Sequence, residues 1–82
     1  MTVVVETRGP LTYVGRYDRE DQHGVHLLDA GVHSADSGQS QAEFVQRSAK
    51  FGVRSEHRHL AIASDQVVRI TQLGSWEPVL RR

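Results

Sequence analysis

Apolar residues recur at alternate positions over much of the chain, a period that turns one face of an extended strand inward. Val3, Val4 and Val5 begin the pattern as a β-branched run, and the polar stretch Glu6 to Pro10 after them has the residue types of a tight turn. Leu11, Tyr13, Gly15 and Tyr17 then alternate with polar residues, which predicts a second strand from 11 to about 18. The charged segment Asp18 to Gly24 predicts a solvated hairpin in which Gly24 supplies a positive φ angle. Val25, Leu27 and Leu28 form a third strand that runs into Asp29-Ala30-Gly31.

Between Gly31 and Gln41 the chain has almost no apolar mass, so a mobile loop is expected. The next segment supports two readings. Ser40 and Glu43 match a capping box for a short helix that Gly52 would close. Val45, Arg47, Ala49, Phe51 and Val53 alternate as in a strand over 43 to 54, which is the preferred reading. A fourth strand follows from about 56 to 63, then a turn at Ser64-Asp65-Gln66, then a fifth strand to about 73. Five short strands without a long helical pattern predict an all-β fold, a small barrel of the SH3 or OB kind, with a long polar excursion between strands 3 and 4. The barrel would span 1 to 73. The tail, 74 to 82, carries Trp76, Pro78 and Leu80, and Trp76 and Leu80 need cover.

Composition narrows the function classes more than it names one. Eighty-two residues make one small domain, and ten basic residues balance ten acidic ones, so no global basic field advertises nucleic acid. There is no cysteine, which excludes disulfides and thiolate zinc sites, and no apolar run is long enough to cross a bilayer. The expectation is a cytoplasmic protein without a membrane segment. Five histidines raise the question of metal, with His57 and His59 on one face of a strand and His23 and His26 near a hairpin. Too few ligands converge for a zinc site, and neither a nucleophile beside a base nor a glycine-rich phosphate loop is present. No metal, cofactor or enzymatic activity is expected.

The strand order and two groups of residues resemble the Sm-like (LSm) family, which includes the bacterial Hfq branch. Gly15 precedes Asp21 by six positions, and apolar residues then lead to Asp29-Ala30. In the second half, Ile62-Ala63-Ser64-Asp65-Gln66-Val67-Val68-Arg69-Ile70 follows the family's spacing, and the resemblance covers about residues 3 to 73. It implies a five-stranded SH3-type barrel, a strongly bent antiparallel sheet. It also implies a ring of roughly five to seven copies, in which the fourth strand of one subunit pairs with the fifth of the next.

Two departures change what the resemblance implies about RNA. Asp21-Gln22-His23-Gly24-Val25 stands where the family has Asp-x-x-Met-Asn, and Ala63-Ser64 stands where it has Arg-Gly. An arginine there would stack on a base or neutralise phosphate, and Ala63 does neither. The expectation is a weak or non-standard site for single-stranded RNA, using Gln22, His23, Ser64 and Gln66 for bases and Arg54 and Arg58 for phosphate. Arg47 and Lys50 lie in the same basic segment. Leu60, Ile62, Val67, Val68 and Ile70 carry more apolar surface than a thin core covers, and they form the expected subunit interface. A ring-forming structural or protein-interaction module without RNA binding is the rival expectation.

Overall fold

A computed structural model describes residues 1–77. Five antiparallel strands form one sheet: β1 (Thr2–Thr7), β2 (Leu11–Asp21), β3 (Gly24–Ser34), β4 (His57–Ile62) and β5 (Val67–Gln72). Their order is β4-β3-β2-β1-β5, so β4 and β5 are its two edges and the sheet is not closed. One helix, α1 (Gln41–Phe51), lies between β3 and β4.

Three consecutive valines suit β1 because the sheet is covered on both faces. Val3 and Val5 join Val25, Leu27, Ala30 and Ile62 in one core, with Tyr13, Tyr17, Leu60 and Val67 around it. Val4 turns the other way and meets Val14, Val45 of α1 and Trp76. Each buried valine contributes roughly 1.5–3 kcal/mol, and alternation alone would have left one of the three in water.

The segment over 43 to 54 is a helix followed by irregular chain, not the preferred strand. Ser40 Oγ accepts the backbone N–H of Glu43 at 3.0 Å and donates to the Glu43 carboxylate at 3.2 Å, closing the capping box. Gly52 ends the helix at φ 92, its N–H donating to Ser48 O. Val45 and Ser48 are buried while Ala49 and Phe51 are exposed, so the period-2 pattern has no burial counterpart. Glutamine, glutamate, arginine, lysine and alanine at the remaining positions are all good helix formers.

The expected loop after Gly31 is also corrected, since β3 continues to Ser34. A bulge hides this continuation in the sequence. Val14 pairs with Gly31 and Arg16 with Leu28, so Gly15 opposes both Asp29 and Ala30. Asp29 takes the extra residue's conformation at φ 49. A Cβ on Gly15 would lie 2.8 Å from the Ala30 Cβ, so glycine is what lets the strands pass at the bulge. The turn that follows β3 is tied down: Ala35 N donates to Pro10 O at 2.9 Å, and Gln41 Nε2 donates to Thr12 Oγ1 at 2.9 Å.

Trp76, expected in an appended tail, belongs to the second core at 9% exposure, and its indole N–H donates to Glu6 at 2.6 Å. Pro78 and Leu80 lie outside the described residues.

Candidate nucleic-acid interface

The residues expected to contact RNA fall into two groups at different places on β3. Gln22 and His23 form the β2–β3 turn, which packs on the short turn Ser64–Gln66 between β4 and β5. Ser64 Oγ donates to Glu20 Oε2 at 2.9 Å, and the His23 backbone N–H donates to Asp21 Oδ1 at 2.8 Å. The bond to Glu20 holds Ser64 against the β2–β3 hairpin that carries Gln22 and His23, whereas Gln66 O accepts the Arg8 backbone N–H at 2.9 Å beside the β1–β2 turn. Arg19 pairs with Asp18 and Asp21, and Arg8 Nε donates to Asp65 O, so the four carboxylates of Asp18, Glu20, Asp21 and Asp65 face two guanidinium groups and leave the rim net negative, which disfavours phosphate.

Arg54 lies beside Gly31, seven residues further along β3, or about 20 Å at the usual rise of a strand. Arg58 is exposed on β4 between these points, on the same side of the strand as Leu60 and Ile62, which turn into the core. Of the expected interface residues, Ile62 belongs to the first core, and Leu60 and Val67 are partly buried against it. Val68 and Ile70 on β5 are exposed, at 63% and 39%.

Around Arg54 the structure assembles a site that strand-based reasoning missed. Because β4 joins the sheet only at His57, which pairs with Ala30, the last part of β3 has no strand on that side. α1 and residues 52–56 flank the gap and leave a cleft of about 380 Å³. Arg47 and Phe51 of α1, with Arg54 and Glu56, line it above Gly31. Glu56 does not form the ion pair with Arg58 that strand spacing suggests; its carboxylate instead accepts the Val32 backbone N–H at 3.0 Å. Arg47 and Arg54 have no carboxylate within 4.0 Å among the described residues. The signal available in the sequence was the capping box: read as a helix, the segment puts Arg47 and Phe51 one turn apart on a single face.

A second cluster lies on the outer face near the acidic rim. His26 is buried and bridges Asp21 Oδ1, 2.8 Å from its Nε2, and His59 Nε2, 2.8 Å from its Nδ1. The two imidazoles are nearly parallel, with centroids 5.0 Å apart. An ionised carboxylate accepts from His26 Nε2–H, and His26 Nδ1 and His59 Nε2 share one further hydrogen bond whose direction the tautomer sets. The chain Asp21–His26–His59 fixes the tilt of an exposed imidazole. The hydroxyls of Ser55 and Ser64 donate to Asp29 and Glu20, so neither is paired with an imidazole base. Among the described residues no group of three or more ligands is arranged to hold a metal ion.

This hydrogen bonding sets a pH dependence. The bond from His26, the His23 backbone N–H and the charge of Arg19 lower the Asp21 carboxyl from 3.8 to about 2, against a smaller opposing effect of burial. A depressed folded value means that the contribution to stability is complete above about 4 and is lost as pH falls towards 2. Denaturant unfolding of wild type and Asp21→Asn at pH values across that window is expected to show a steeper acid loss in wild type. Parallel curves would remove Asp21 as the cause.

Compared with models of known protein families, with curated proteins and with solved structures, the chain matches none.

Proposed function

We propose that the protein is an Sm-like, ring-forming module that binds single-stranded RNA. The observation that carries the assembly half is the strand order, which leaves β4 and β5 as the two edges of one open sheet. These are the strands that Sm-like rings join between neighbours, and a free edge presents a row of N–H and C=O groups ready for such pairing. Val68 and Ile70, exposed on β5, give the edge apolar surface for a second copy to cover. A monomer of this size would otherwise leave both edges and these side chains in water.

The RNA half is supported by local charge, since the molecule as a whole is neutral. Arg47, Lys50, Arg54 and Arg58 fall within twelve positions of one another, α1, the segment after it and β4 display them on the surface, and phosphate contacts need little else. The rival reading, a ring that serves as a structural or protein-interaction module, is favoured by the carboxylates around Gln22, His23, Ser64 and Gln66. Trp76 cannot supply its contact surface, because it is committed to the core.

Light scattering behind size exclusion tests the assembly. A mass of about five to seven copies at micromolar concentration is expected, and a monomer would remove the ring. Ile70→Asp sharpens the test, because Ile70 is part-exposed in the single chain: the expected product is a folded monomer whose stability is within about 1 kcal/mol of an isolated wild-type subunit. Filter binding of A-rich and U-rich RNA at low and moderate salt separates the two readings. Affinity that falls steeply with salt supports RNA as ligand, and no binding at low salt leaves the scaffold.

A further inference from the structure

We infer that the cleft between α1 and the uncovered end of β3 is a nucleotide subsite for single-stranded RNA, in which Arg47 and Arg54 hold a phosphate and Phe51 stacks on the base. The inference rests on the RNA reading and gives it a location that neither the acidic rim nor the resemblance to Sm-like proteins supplies.

The cleft brings one arginine from the helix and one from the segment after it to a common space of about 380 Å³, within the roughly 300–1,000 Å³ of small-molecule sites. Guanidinium forks match pairs of phosphate oxygens, and two of them without a carboxylate partner among the described residues make a local excess of positive charge. The one carboxylate in the cleft, Glu56, is held by the Val32 backbone N–H.

Phe51 adds what a bare cation patch lacks. Its ring is 74% exposed at the end of α1, with Lys50 Nζ 5.3 Å from its centroid. A planar apolar ring with one cation beside it, in a cleft lined by two arginines, is the combination that tolerates any base while tracking the backbone. Gly31 keeps the floor bare: a Cβ there would lie 2.8 Å from Arg54 O and would push that segment into the cleft.

Fluorescence anisotropy of short labelled A-rich and U-rich RNAs tests the site with wild type, Arg47→Ala, Arg54→Ala and Phe51→Ala, folding being checked by circular dichroism. Each variant is expected to weaken binding about tenfold. The arginine variants should also reduce the slope of log affinity on log salt by about 0.7 for each lost phosphate contact, whereas Phe51→Ala leaves the slope unchanged. Should an alanine variant fail to fold, Arg54→Lys and Phe51→Leu replace it, and both should still weaken binding. Binding that survives all cleft variants but is lost in Gln22→Ala and His23→Ala overturns the site and keeps the RNA reading. Absence of binding by wild type at low salt overturns both. A polyglutamate peptide that displaces RNA as well as unlabelled RNA does would assign the cleft to an acidic protein and overturn the nucleotide assignment.

Discussion

Gly24→Ala is expected to lower the melting temperature by about 20 °C or more, the largest effect of any single methyl group in the protein. Two causes act at once. The backbone at Gly24 has φ 114, where an L side chain is strained by roughly 1–3 kcal/mol. The added Cβ would also lie 2.0 Å from the Ile62 carbonyl oxygen and 2.7 Å from its carbonyl carbon, both rigid backbone atoms. Relief would require the β2–β3 turn to move away from the end of β4, which breaks the pairing of Val25 with Ile62, two residues of the core. The combined loss of about 4 kcal/mol is a large part of the roughly 5–15 kcal/mol that holds a small domain together. Gly38→Ala separates the causes, because Gly38 also has a positive φ, 83, but nothing lies within 4 Å of its added Cβ. It should cost only about 1 kcal/mol. Equal losses in the two variants, read by thermal unfolding, would show that the contact with Ile62 carries no weight.

The second large effect is expected at Trp76. Trp76→Ala empties the space between Val4, Val14 and Val45 and should cost about 3–5 kcal/mol. It also strips a donor from Glu6, whose carboxylate accepts from the indole and from Arg69 Nε at 3.0 Å. Trp76→Phe keeps most of the volume and loses that charge-assisted bond, so about 1.5–3 kcal/mol is expected. A double-mutant cycle with Glu6→Gln should give a coupling of at least about 0.5 kcal/mol, whereas additivity would show that the bond adds nothing to the packing. The protein has one tryptophan, so its fluorescence reports the wild-type unfolding directly.

The elements legible in the sequence were those whose burial follows one period. β4 and β5 were visible because Leu60 and Ile62 share a face and Ser64-Asp65-Gln66 interrupts the run, and the need for glycine at 24 was visible from the hairpin composition. What stayed hidden depended on contacts between distant segments. Asp29-Ala30-Gly31 has the composition of a turn, and only pairing with Gly15 makes it a bulge inside a strand. The alternation from Val45 to Val53 mimics a strand, and only the Ser40–Glu43 cap marks the helix that buries Val45 and Ser48 instead. Trp76 looked unattached because its cover, α1, was not yet a helix. The candidate site suffered for the same reason. Ser64 meets Glu20 and His23 meets Asp21, while Gln66 lies against Arg8, and Arg54 acquires Arg47 and Phe51 as companions only through the helix.

The bulge at Asp29 has a consequence for how so short a chain lines two layers. Before it, Val25 and Leu27 look into the first core; after it, Ala30 takes over that duty while Gly31 and His33 look towards α1. One ribbon of eleven residues therefore changes allegiance halfway. Were the bulge straightened with Asp29 kept in the strand, a plain two-residue rhythm would send the imidazole of His33 into the oily interior while Ala30 left it. The spare residue here is thus what lets odd-numbered side chains ahead of it and an even-numbered one behind it serve the same core.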